Sequence, residues 1–469
     1  MKRRWLGFVS LLAAFALVIA ACGDDDTSDT TGATTAATTA ATAAPTTDAP
    51  TASTAAPDTG SDVAFDTGVT PAPCPDAVNE GNGCIYLGIL SDLSDGPFSG
   101  LAPRIVLGQE DFWGAINAEG GLDGFDVILS AENTFDHHYS PDLAVEGYEG
   151  MKDRILVLAQ LLGTPMTEAL LPRMVEDGVT ASGATWWSGM GFVDRDQGHM
   201  LESGASYCSD GMNGFVFMIE TMGTGLTWAL VSFAGDYGGD YTAGVKIAAA
   251  QLGVSDPVAE VEVTPMSVGG DPTVVIPELV AAAPDLIIMA VGPREMATLV
   301  GGLFQAGHTS FVVLGAAPTW DVGLLANADL VPLLQAVYYT SGPWGNWGFD
   351  TPGHAAMRAA AEANDRTPDD AYLFGWVWQY PIKAQLIEAI ASGDLRRSNV
   401  ASIAQNLTGV SYEGILPDRD YTGSTDSQVV RSSLIFKVDP TTPDGLSPQT
   451  PVFTSEVAAG YDWVAPCIG

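Results

Sequence analysis

The sequence predicts an α/β fold of two lobes built on mainly parallel sheets. Three observations predict it. From residue 85 onward, short apolar runs bounded by turn residues alternate with stretches of helical periodicity. Such alternation builds parallel sheets covered by helices on both faces. Next, about 395 residues remain after the N-terminal segments are set aside, too many for one compact core. Last, residues 85–131 read strand, loop, helix, strand, with the loop at the carboxyl end of the first strand. In open parallel sheets, ligands bind at such loops.

Residues 1–22 begin Lys2-Arg3-Arg4, continue as an apolar run and end Ile19-Ala20-Ala21-Cys22. This pattern is a secretory signal. The small residues suit signal-peptidase cleavage, and the cysteine after them resembles a bacterial lipobox, so Cys22 is the expected lipidation site. The apolar run is too short and wrongly flanked for a retained membrane span. Two acyl chains on Cys22 would hold the protein at a membrane. Residues 23–72 are Thr, Ala, Pro, Asp and Ser with few large apolar side chains. They cannot bury enough surface to offset their ordering entropy, so a disordered tether is expected.

The elements then follow in order. Residues 85–90 are an apolar run, hence a buried strand. Residues 91–100 hold Gly, Ser, Asp and Pro, hence a loop. Ile105, Phe112 and Ile116 recur at helical spacing; Pro103 suits the first turn and Gly120-Gly121 the stop. A second strand covers 125–129. The same reasoning gives helices at 139–153 and 166–175 and strands at 155–158 and 179–182. Helices follow at 211–222, 241–252, 274–283 and 295–306. Strands are expected at 228–233, 258–263, 286–289, 311–314 and 336–339. Helices at 353–364, 371–390 and 400–406 and a strand at 433–438 complete the reading, with an irregular tail after Asp439.

The formal net charge is −39, with 18 Lys plus Arg against 57 Asp plus Glu. Nucleic-acid binding needs basic patches and is excluded. The acids are spread along the chain, so they read as a solvated surface suited to extracellular or salty surroundings, with an acidic pocket for a cationic ligand as the lesser alternative. With Cys22 set aside, Cys74, Cys84, Cys208 and Cys467 remain. An even number suits an oxidising compartment, and three pairings are open. The favoured one is Cys74–Cys84, a local clasp, which leaves Cys208–Cys467. No Cys-x-x-Cys spacing supports a metal site.

Six segments carry a family resemblance: the opening GIL…GPFSG…INAEGGLDG, then EDGVTASGATWW, SDGMNG, VSFAGDYGGDY, AAAPDLIIMAVGPREMATLV and DDAYLFGWVWQYPIKAQLIEAI. In this order and spacing the chain from about residue 85 resembles the branched-chain amino-acid-binding proteins, the type I solute receptors of ABC importers. The resemblance implies the type I periplasmic-binding-protein fold, with Rossmann-like lobes joined by a three-strand hinge. Crossings are then expected near 203–210, 341–344 and 407–414. Lobe 1 would hold 73–207 plus 343–408, and lobe 2 would hold 208–342 plus 409–469. A cleft between them could close on a ligand.

The resemblance also implies site residues. The family's carboxylate-binding loops fall on Thr164 and on Gly183, Ala184 and Thr185. Loop hydroxyls and main-chain donors at helix starts suit an anion, although Thr also caps helices well. Tyr237 falls on a ligand-contacting tyrosine and Tyr372 on an aromatic cleft cap. Leu101 replaces another cleft aromatic. The stretch ending at Thr319, also an expected contact, has Ala317 where the family places an ammonium-binding carboxylate; Asp321 lies four residues on. Gly292-Pro293 replaces a tyrosine pair. Trp186, Trp187, Trp320, Trp344 and Trp347 add aromatic surface near cleft or hinge, with Trp186 expected at the ligand. The expected ligand is therefore a small molecule with a carboxylate or amide end and an apolar or aromatic body.

Other constellations carry less. Asp136-His137-His138 reads as a surface loop, because adjacent side chains reach one ion poorly. Gly223-x-Gly225 lacks the third glycine of a dinucleotide fingerprint. No Gly-x-Ser-x-Gly or His-Glu-x-x-His occurs. A hydrolase would need Ser188 or another serine with His199 and an acid, which the pattern does not supply. No enzyme, cofactor or metal is expected. The expected partners are a small ligand, a permease and the membrane; a sensor component and an exported enzyme are the competing classes.

Overall fold

The computed structural model describes residues 63–468. Cys22, the signal and residues 23–62 of the expected tether lie outside them. The first half of the chain runs β1 (Val69–Thr70), β2 (Gly83–Ser91), α1 (Ala102–Ala118), β3 (Phe125–Asp136), α2 (Pro141–Met151), β4 (Val157–Leu162), α3 (Thr164–Asp177) and β5 (Ala181–Ala184). A short turn α4 (Val193–Asp196) precedes α5 (Tyr207–Met222), β6 (Trp228–Phe233), α6 (Asp236–Leu252) and β7 (Ala259–Val263). Then come α7 (Ile276–Ala282), β8 (Leu286–Ala290), α8 (Pro293–Gln305), β9 (Val312–Gly315), α9 (Val331–Val337) and β10 (Tyr338–Gly342). The rest is α10 (Pro352–Ala363), α11 (Asp370–Val377), α12 (Gln379–Ala391), α13 (Arg397–Ala404), α14 (Thr425–Gln428), β11 (Leu434–Val438), β12 (Leu446–Pro448) and α15 (Glu456–Gly460).

Two sheets result. In the first, β2 pairs in parallel with β3 and β4, and β4 with β5. In the second, the order is β12-β11-β10-β9-β8-β6-β7. Strands β6 to β10 are parallel, while β11 and β12 add an antiparallel edge. The strands β4, β6 and β8 are buried along their whole lengths. That is why they read as continuous apolar runs: both faces carry helices. The fold is thus the expected α/β type with two parallel sheets.

Several boundaries differ from the sequence reading for local reasons. Residues 63–72, assigned to the tether by composition, lie along the first sheet. Val69 pairs with Ile85, and the Ala64 amide donates to the Gly393 carbonyl. The strand expected at 336–339 is preceded by α9 and runs Tyr338–Gly342. The single helix expected at 371–390 is two, α11 and α12, meeting at Trp378. Pro381 has no N–H for the Val377 carbonyl and its ring crowds that carbonyl, which breaks the helix there. Both favoured disulfides form: Cys74–Cys84 beside β2, and Cys208–Cys467, which ties the first turn of α5 to the tail.

Candidate functional site

A cavity of about 40 Å³ lies where the carboxyl ends of β4 and β5 face the start of α6. Three chain turns present its lining. At the first, Gly163 takes φ +97°, where L side chains are strained, and turns β4 straight into α3; Thr164 is the first helical residue. At the second, β5 delivers Ala184, Thr185 and Trp186. Trp186 has φ +48°, which is uncommon for a bulky residue and marks a constrained position. Its indole Nε1 is fixed by donating to the Ser203 carbonyl at 2.7 Å. At the third, Gly235 (φ +93°) turns β6 into α6 and presents Asp236 and Tyr237.

Aromatic rings surround the cavity and touch one another. The Tyr207 and Tyr237 centroids are 4.8 Å apart, Phe98 and Tyr139 5.3 Å, Phe98 and Tyr237 6.0 Å, and Trp186 and Tyr207 5.8 Å. Phe374 and Trp378, one helical turn apart, complete the wall. The Tyr237 hydroxyl donates to the Val291 carbonyl at 3.0 Å and lies 3.1 Å from Thr319 Oγ1. Its ring is thereby held against the cavity while its hydroxyl is used elsewhere.

Two carboxylates shape the electrostatics. Thr185 Oγ1 donates to buried Glu202, and a Cβ on Gly183 would overlap Glu202 Oε1. Burial raises the Glu202 pKa; the Thr185 hydroxyl and the Arg419 charge oppose the rise. Asp236 is half-buried and lines the cavity. Burial raises its pKa as well, against the neighbouring Thr164 hydroxyl. Thr164 Oγ1 is buried and, although near Asp236, closes no hydrogen bond among the described residues; nor does Trp378 Nε1. No Lys, Arg or His lines this cavity.

A second cavity of about 30 Å³ adjoins the first and shares Leu101 and Phe374 with it. Trp320, Trp344, Phe436 and Leu446 make it apolar, and Asp369 and Asp370 line one side. Nearby, Arg104 of α1 reaches Asp321, which follows β9, at 2.8 Å, and Asp369 at 2.8 Å. Burial pushes the Asp369 pKa up to about 6, and Arg104 opposes it.

Of the expected site residues, Leu101, Thr164, Ala184, Thr185, Trp186 and Tyr237 line one cavity. Gly183 lies behind them against Glu202, and Thr319 supports Tyr237 from behind, leaving Pro318 at the surface of the cavity. Tyr372 points elsewhere: its hydroxyl donates to Asp111 at 3.1 Å and its ring packs on Trp347. All five singled-out tryptophans are buried; Trp320 and Trp344 line the second cavity, and Trp187 packs under Arg195. Asp236, Phe98, Tyr139, Tyr207, Phe374 and Trp378 were not read from the sequence. Asp236 directly precedes Tyr237 in GDYGG, and Phe374 and Trp378 have i, i+4 spacing, so both signals were present.

Ser188 Oγ donates to Asp240, and His199 Nδ1 lies by the Gln197 carbonyl, so these two do not pair. Beside the exposed turn after β3, Ser94 Oγ lies 3.1 Å from His138 Nδ1 and donates to Asp136, away from the cavity lining. His137 is buried with Nε2 3.1 Å from the Leu162 carbonyl, and burial lowers its pKa to about 4. Among the described residues, the one close group of candidate ligands is Cys208, Asp240 and Cys467, whose two sulfurs are joined as a disulfide. Among them, too, no helix is long and apolar enough to cross a membrane.

The sequence profile of a family described as periplasmic binding protein matches residues 85–445. Solved structures share the fold. A fatty acid ABC transporter substrate-binding protein from Thermomonospora curvata is 24% identical over 85% of this chain and 97% of its own, with a TM-score of 0.74. A branched chain amino acid ABC transporter protein from Thermus thermophilus with bound valine is 16% identical over 81% and 98%, TM-score 0.66. A solute-binding protein from R. palustris in complex with 4-hydroxybenzoate is 13% identical over 79% and 97%, TM-score 0.65. No curated protein sequence matches the chain significantly.

Proposed function

The chain belongs to the periplasmic binding protein family, and on that premise we propose that it captures a small ligand between its lobes and delivers it to an ABC importer permease. The observation that carries this reading is the aromatic-lined cavity at the strand ends of both sheets. Its apolar lining suits a small molecule, and its few polar groups converge from separate turns. The proposed lobes are 73–207 with 343–408 and 208–342 with 409–469. Thr164, Thr185, Trp186 and Tyr237 are the proposed ligand-facing residues, with Leu101 and Ala184 beside them. The solved relatives named above bind, by their descriptions, ligands as different as fatty acids, valine and 4-hydroxybenzoate, so the fold alone leaves the ligand open. An apolar or aromatic body suits this lining, and the adjoining second cavity extends the apolar surface beside it.

Lipidation at Cys22 would keep the receptor at the membrane beside its permease. Cys22→Ser should release the protein to the medium; full membrane retention of that variant would refute the anchor. Ligand capture is tested by mass spectrometry of whatever co-purifies, followed by thermal shift. A ligand at a hundredfold excess over its dissociation constant stabilises the folded state by about 2.7 kcal/mol. Tyr237→Ala should abolish that shift. A shift that survives Tyr237→Ala would move the site elsewhere.

A further inference from the structure

We propose that the ligand is a cation with an apolar body, an alkyl- or arylammonium held by Asp236 within the aromatic box, because Glu202 already occupies the loop that would hold a ligand carboxylate. The proposal rests on the ligand-capture reading above and narrows it.

The first observation is the internal occupant. The turn after β5 carries Gly183, Ala184 and Thr185, whose hydroxyl and main chain make a fair anion site. In this structure the anion is the protein's own. The Thr185 hydroxyl donates to Glu202, and Gly183 leaves no room for a side chain because Glu202 Oε1 fills that space. Glu202 is anchored in turn, since its carbonyl accepts from Arg419 and from the Tyr421 hydroxyl. A ligand carboxylate would have to displace it.

The second observation is the charge inside the cavity. Its one ionisable side chain other than tyrosine is Asp236, with no Lys, Arg or His in the lining. A second carboxylate there would meet a like charge with no counter-charge. Asp236 stands in the first turn of α6 and suits that helix start, but the dipole needs no cavity around it. Beside it, Thr164 Oγ1 is buried next to the Asp236 carboxylate and finds no other polar partner among the described residues. It can accept from an ammonium N–H or donate to a polar substituent.

The third observation is the wall. Phe98, Tyr139, Tyr207, Tyr237 and Trp186 present ring faces and edges to one small space. Rings attract cations through their negative faces, and aromatic boxes recognise quaternary ammonium groups. The net charge of −39 would also concentrate cations near the surface.

The test compares benzyltrimethylammonium and phenethylamine with a neutral alcohol of similar size and with phenylacetate, by calorimetry on the purified protein. Cations should bind at least tenfold tighter than the neutral or anionic probes. Asp236→Asn should lose that preference. Glu202→Ala, with its folding checked by circular dichroism, should instead gain phenylacetate binding by vacating the loop. Wild-type binding of phenylacetate above the cations, lost in Tyr237→Ala, would overturn the cation assignment and leave ligand capture standing. If no probe binds and nothing co-purifies, ligand capture at this cavity falls too.

Discussion

Arg104 joins parts of the chain far apart in sequence. From α1 it meets Asp321 after β9 and Asp369 before α11, each at 2.8 Å. Its side chain is 29% exposed, and those of Asp321 and Asp369 are 16% and 7% exposed, so water screens the pairs only in part. The pairing with Asp321 bridges elements of the first and second sheets and favours the arrangement seen here. Arg104→Gln should weaken ligand binding about 3- to 10-fold, which corresponds to about 1 kcal/mol for a partly exposed pair. Small-angle scattering of the unliganded variant should show a more open molecule; unchanged affinity and scattering would remove the latch. Arg104 was not legible in the sequence, because its partners lie more than 200 positions away. Glu202 was hidden although Thr185 is only 17 positions away, because nothing local announces that it folds back onto that turn. Thr164, Thr185 and Tyr237 came from the family resemblance, and each lies within four residues of a strand end, where the cavity opens. Tyr372, taken from the resemblance, lies outside the lining of the first cavity, which Phe374 and Trp378 of the same stretch reach instead.

At the scale of elements, each sheet carries a pair of helices packed backbone to backbone. A Cβ on Gly108 of α1 would overlap the Tyr372 carbonyl of α11, and one on Gly375 would overlap the Ile105 carbonyl. On the other sheet, Gly211 of α5 meets the Tyr241 carbonyl of α6, and Gly244 meets that of Cys208. Neither pair can take even a methyl group without separating. Gly375→Ala should destabilise the protein by about 1–3 kcal/mol, the usual cost of overpacking, as read by urea unfolding. Because Phe374 and Trp378 flank Gly375, ligand affinity should fall as well; a stable variant with full affinity would show that the helices can part freely. The Cys208–Cys467 bridge closes a separation of 259 residues from the first turn of α5. Its removal in the Cys208→Ser, Cys467→Ser double variant should cost about 2–5 kcal/mol. Strand positions in both sheets were readable because buried parallel strands are short apolar runs. The boundary of β10 was not, since the Leu-Leu-x-Ala-Val stretch of α9 fits helix and strand alike.

Across the whole molecule, buried acids set the response to pH. Burial raises Asp196 and Asp240 to about 7, and Asp210 and Asp369 to about 6. Each bonds to backbone amides, hydroxyls or Arg104, which offsets only part of the desolvation. Between the unfolded carboxylate value near 4 and these raised values, the folded chain holds more protons than the unfolded one. Stability therefore falls as pH rises through that window, and the favourable contribution is largest at its acid end. Asp394 acts oppositely: Arg396 lowers it to about 2, so its contribution is present above the unfolded value and is lost only as pH falls toward 2. The optimum should thus lie near pH 5, with the melting temperature dropping by several degrees between pH 5 and pH 8. Surface repulsion in a chain of net charge −39 falls in the same direction, and salt separates the two causes. Half-molar sodium chloride screens exposed acids but hardly reaches Asp210 and Asp240, which are buried on α5 and α6. A fall that persists in salt and shrinks in Asp240→Asn assigns the pH response to the buried acids; one that salt abolishes assigns it to the surface.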